Sequence, residues 1–89
     1  MKLYRVCTEN KNYPDILNYL DEHFSDGYTI INTNGTWQGV REKSLVIEII
    51  GEDDPTEPAL ELFAYWLEKH NKQKAILIQV IHLIEDWEL

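Results

Sequence analysis

The chain is poor in the residues that would place it in several large functional classes. It carries one cysteine, Cys7, which excludes an internal disulfide framework and a Cys-rich zinc site. No apolar stretch approaches the ~20 residues of a membrane span, and the N-terminus has no signal-peptide h-region. Basic residues are scarce, eight against sixteen acidic ones for a net charge of −8. That balance argues against direct binding of nucleic acid, where Lys and Arg must replace counterions along the phosphate backbone. No P-loop, dinucleotide-binding, HExxH or GxSxG pattern occurs, so no phosphate cradle, metalloprotease site or nucleophile elbow is encoded. Glycine (four) and proline (three) are few, and no linker or repeat interrupts the chain. What remains is 89 residues, 44% hydrophobic and 27% charged, the composition of one soluble, cytoplasmic globular domain over 1–89.

The order of elements follows from periodicity. Residues 2–8 are strand formers that stop at the polar run 9–12. Tyr13, Ile16, Leu17, Leu20 and Phe24 recur at helical spacing behind Pro14, which predicts a helix over 14–25 with Gly27 just beyond it. A second strand opens at Tyr28, and 41–50 is a third, with Leu45, Ile47 and Ile49 opposite Val46, Glu48 and Ile50. Asn34-Gly35 is a hairpin signal, but Gln38-Gly39 also turns the chain. The preferred reading is a long second strand to Trp37 with a bulge or bend at Asn34-Gly35; the alternative is a short three-stranded meander. Asp54 is positioned to cap a second helix, with Pro55 first and Glu57 reaching back, while Pro58 offers a competing start. Leu60, Phe63, Ala64 and Leu67 form its inner stripe. A last strand occupies 75–84. The order β-α-β-β-α-β is the ferredoxin-like arrangement, an α+β fold with an antiparallel four-stranded sheet and two helices on one face.

Such a sheet leaves its other face open, and an open face should alternate with polar residues. This one keeps Val46, Ile50, Leu77, Ile81 and Leu83 there, interrupted by Glu48 and Gln79. Burying five such side chains is worth roughly 10 kcal/mol at ~2 each, against an association cost of about 4–15 kcal/mol. A homo-oligomer, dimer or trimer, is therefore expected, unless Trp87 and Leu89 fold back over the sheet.

The residues offer little chemistry. His23, His70 and His82 lack ligand spacing, and His23 and His70 suit helix C-termini. Cys7 reads as a small buried strand residue. Glu42 and Glu48 lie about 20 Å apart along one strand, too far for a paired-carboxylate mechanism. No enzyme, metal or cofactor is expected. Acids gather in Glu52, Asp53, Asp54, Glu57 and Glu61 and in Glu85, Asp86 and Glu88. They are either a helix start and a solvated tail, or a surface that docks on a basic protein partner.

Residues 35–50 carry the most distinctive pattern, Gly35-x-Trp37-x-Gly39 followed by Glu42-x-Ser44 and an apolar strand. It resembles small proteins of bacteriophage and prophage genomes, and is distantly similar to the central hairpin of CutA-type and nitrogen-regulatory PII-type proteins. The second resemblance implies a ferredoxin-like subunit that assembles through its sheet and binds a nucleotide-like ligand between subunits, with Trp37, Gly39, Arg41 and Glu42 as its contacts. The chain has no counterpart of the long mobile PII loop. The phage resemblance implies one of two functions in the host cytoplasm: capture of a host nucleotide or signalling molecule between subunits, or, favoured by the acidic excess, an inhibitor that docks on a host defence or nucleic-acid enzyme through Glu52, Asp53, Asp54, Glu57, Glu85, Asp86 and Glu88.

Overall fold

The computed structural model describes residues 1–73 and 76–82. Its elements are β1 (Lys2–Glu9), α1 (Tyr13–His23), β2 (Thr29–Trp37), β3 (Val40–Gly51), α2 (Asp53–His70) and β4 (Leu77–His82). The four strands form one antiparallel sheet in the order β2-β3-β1-β4. This is the ferredoxin-like fold.

The core lies between the sheet and the two helices. Tyr4, Val6, Leu45, Ile47 and Ile49 point from the central strands into Ile16, Leu20 and Phe24 of the α1 segment and Leu60, Phe63 and Leu67 of α2. Alternation in β3 and helical spacing in α1 are thus used as the periodicity predicts. Both central strands are flanked on each side, which explains why their inward residues are sealed. β4 is an edge, and its helix-side residues Ile78 and Val80 remain 37% and 46% exposed.

The β2–β3 connection is a two-residue turn. Trp37 pairs with Val40, and Gln38 and Gly39 between them have φ of 49° and 79°. Positive φ at both central positions matches the twist of a tight hairpin. The second strand does reach Trp37, but the expected bulge at Asn34-Gly35 is not there. Pairing stays in register from Thr29↔Glu48 to Trp37↔Val40, including Gly35↔Glu42. Thr33 and Ser44 hydroxyls, 2.7 Å apart, tie the strands beside that glycine.

α2 also begins differently from its sequence signal. Glu52, not Asp54, occupies the N-cap, and no side chain caps the helix. Asp53, the first residue of the helix, is tied back to the first strand, where Lys2 Nζ donates to Oδ2 at 2.8 Å and the Tyr4 hydroxyl donates to Oδ1 at 2.7 Å. At the other end Lys72 takes a left-handed conformation (φ 54°) and turns Gln73 inward. Asn71, also buried, donates to the Lys11 carbonyl and accepts from Asn12 Nδ2, both at 3.0 Å. These bonds pin the end of α2 to the start of α1. The expected last strand extends beyond β4 on both sides into residues 75, 83 and 84, which lie outside the described residues.

Candidate functional site

The helix-free face of the sheet is ordered in rows, because directly paired residues share a face. Ile31, Val46, Cys7 and Leu77 form one row across all four strands. Thr29, Glu48, Arg5 and Gln79 form the next, and Ile50, Leu3 and Ile81 a third. Two apolar rows therefore bracket a polar one, within which Arg5 Nε donates to Glu48 Oε2 at 2.7 Å. Ile31, Ile50 and Leu77 are 42%, 59% and 56% exposed, so no element among the described residues seals these rows.

The structure brings Val46, Ile50, Leu77 and Ile81 together on this face; Leu83 lies outside the described residues. Ile31, Leu3 and Cys7 join them, although their sequence neighbourhoods did not mark them. Their signal was the pairing of distant strands, which periodicity within one strand does not carry. Cys7 is half-buried on the open face rather than packed in the core as its residue type suggested.

Glu42 and Arg41 lie on opposite faces of the hairpin. Strand parity puts Glu42 on the helix-free side and Arg41 on the opposite side, with Gly39 in the turn and Trp37 placed by its backbone as the last residue of β2. The hairpin end of the molecule nevertheless gathers Lys11, Arg41, Lys43, Lys69 and Lys72 by topology, interspersed with Glu9 and Glu42. The opposite end holds Glu52, Asp53, Asp54 and Glu57. These acids are partly engaged within the chain: the Met1 amino group lies 3.7 Å from Glu52, and Glu57 Oε1 is 3.3 Å from the Tyr4 hydroxyl. The hydrogen bond from Lys2, followed by that from Tyr4, holds the Asp53 carboxyl below its ordinary range. Burial first, then the bond to Asp53, pushes the Tyr4 hydroxyl well above its ordinary value. Glu85, Asp86 and Glu88 lie outside the described residues.

A different feature went unmarked in the sequence. Gln73 is 3% exposed, and among the described residues neither its amide nitrogen nor its carbonyl oxygen has a hydrogen-bond partner. An unpaired buried polar group costs about 1–3 kcal/mol. Gln73 lines a groove of about 680 Å³ between α2 and β4, with Glu61, Ala64, Tyr65, Glu68, Ile76 and Ile78. A glutamine shortly after a helix reads in sequence as a solvated residue, so nothing there announced it.

Among the described residues, no group of three His, Cys, Asp or Glu side chains is placed to hold a metal ion. None of the described helices is long and apolar enough to cross a membrane.

No protein-family model and no curated protein sequence matches the chain. Solved structures do. A DUF3240 family protein from Shewanella baltica is 16% identical with a TM-score of 0.75, covering 99% of this chain and 94% of that one. These likenesses show a shared fold. CPII, a nitrogen regulatory PII-like protein from Thiomonas intermedia solved with ADP, AMP and bicarbonate, is 18% identical at a TM-score of 0.64, covering 97% and 94%. A phage SAM lyase is 13% identical at 0.69, covering 99% and 92%. The distant PII likeness of the sequence is thus present at the level of fold. Because one neighbour is a nucleotide-bound regulatory protein and another a lyase, the fold by itself does not choose between binding and catalysis.

Proposed function

We propose that the protein is a small non-enzymatic binding module whose copies pack through the helix-free sheet face. The observation that carries this reading is the pair of apolar rows on that face. Exposed apolar surface of this continuity marks an interaction surface, and the Arg5–Glu48 row between them supplies polar contacts that fix how two faces meet. Assembly places the hairpin ends of neighbouring copies near a common cleft. A nucleotide-like anion is the ligand that suits it: Arg41, Lys43, Lys11 and Lys72 lie at this end, and the PII-like structural neighbour was solved with ADP and AMP.

Native mass spectrometry of the freshly purified protein tests both parts. An oligomer carrying extra mass of a nucleotide supports the whole reading and weighs the ligand. A bare oligomer keeps assembly and removes the ligand. A bare monomer overturns the reading.

The second reading, docking of the acidic end on a basic host protein as an inhibitor, draws on Asp54 and Glu57, which are exposed. It is weakened by the engagement of Glu52 and Asp53 with Met1 and Lys2. Joint reversal of Glu52, Asp53 and Asp54 to lysine abolishes binding under this reading and spares it under the first.

A further inference from the structure

We propose that the outer edge of β4 and the groove beside it receive an extended, basic peptide segment from a partner protein, added to the sheet as a fifth strand. Strand order leaves β4 paired only with β1 among the described residues, so none of them pairs with the outer side of its backbone. Edge strands are ordinarily guarded by lysine, proline, a bulge or an inward charge. The β4 sequence Leu-Ile-Gln-Val-Ile-His carries no lysine, proline or carboxylate, and its register with β1 is unbroken. The other edge, β2, is polar along most of its length by contrast.

The groove supplies what strand addition requires beyond backbone pairing, namely pockets for alternate side chains. Glu61, Ala64, Tyr65 and Glu68 fall on one stripe of α2 and face Ile76 and Ile78 across it. A long basic side chain laid there covers Ile78 and Tyr65 with its aliphatic stem and brings its charge to the carboxylates. Lys69 lies beside this stripe, 3.8 Å from Glu68 and 5.7 Å from the Tyr65 ring centre, and it is exposed, where an incoming charge displaces it. A second copy of β4 fits less well: it brings no cation on its strand and a further set of the same acids.

This inference is independent of the sheet-face assembly, since it uses the strand edge and the helix side of β4. The test is fluorescence anisotropy of the full-length protein with a labelled, end-blocked peptide of alternating lysine and valine. Binding is expected, weakened about tenfold or more by Glu61→Lys with Glu68→Lys. It is also expected to be lost when alternate peptide amides are N-methylated. Equal binding of a glutamate–valine peptide or of the N-methylated peptide overturns the proposal, as does no binding at all. Self-association that Val80→Lys abolishes shows a second copy on the edge, and overturns it too.

Discussion

Replacing Gln73 by leucine is expected to stabilise the protein. Substituting a polar residue by an apolar one near a helix end would ordinarily be neutral, so the sign is informative. Gln73 is 3% exposed, and both polar atoms of its carboxamide are unpartnered among the described residues. Folding therefore strips these atoms of water without returning a hydrogen bond, at a cost of about 1–3 kcal/mol. Leucine has a similar volume and removes that cost, while adding contact with Ile76 and Tyr65 across the groove. Imperfect packing recovers only part of the gain, leaving about 1–2 kcal/mol net. For a domain of this size each kcal/mol raises Tm by roughly 4–8 °C. Thermal unfolding followed by circular dichroism reads the shift, and urea titration checks that the midpoint moves while the slope does not. A lowered Tm would refute the reasoning, because it would mean that the carboxamide has a partner in the folded protein.

Three further outcomes follow from the geometry. A Cβ added at Gly51 would stand 2.2 Å from the Thr56 hydroxyl oxygen, so Gly51→Ala is expected to destabilise by about 1–3 kcal/mol. Adding Thr56→Ala should restore most of that loss, a coupling that a double-mutant cycle in urea measures. The Asp53 carboxyl is held below its ordinary value of 3.8, so its stabilising contribution is present above that value and lost as pH falls through the lowered one. Asp53→Asn should flatten the acid limb of a stability–pH profile. The Tyr4 hydroxyl is raised above 10.0 by burial and by Asp53, so its contribution holds below 10.0 and is lost on going alkaline, and Tyr4→Phe should flatten that limb.

The fold was legible where one strand or helix reports on itself. Leu45, Ile47 and Ile49 alternate within β3, and Ile16, Leu20 and Phe24 mark the buried stripe of the α1 segment, so local spacing sufficed. The turn at Gln38-Gly39 was readable against the stronger signal of Asn34-Gly35 because a strand to Trp37 keeps Thr29–Trp37 continuous. No bulge is required, since Gly35 sits in extended pairing with Glu42. The start of α2 was misread by two residues: the helix opens at Asp53 behind Glu52, so Asp54, the expected cap, already lies inside its first turn. The open face was half legible. Val46, Ile50, Leu77 and Ile81 stand out within their own strands, whereas Ile31, Leu3 and Cys7 join them only once the β2-β3-β1-β4 order sets the register. The Gln73 groove was hidden altogether, since it depends on the left-handed turn at Lys72 that carries a polar residue inward.

The central claim is that the helix-free sheet face joins copies of this chain, and sedimentation velocity tests it most directly. Ile50 and Leu77 each leave more than half of their surface open, worth roughly 1 kcal/mol apiece on burial. Exchanging both for lysine forfeits that gain and sets like charges against each other across the contact. Wild-type protein is expected to sediment as a dimer or larger species that dissociates on dilution. Ile50→Lys with Leu77→Lys should sediment as a folded monomer throughout, with the wild-type circular dichroism spectrum. A wild-type monomer at every concentration, or a double variant that assembles like the wild type, would contradict the account.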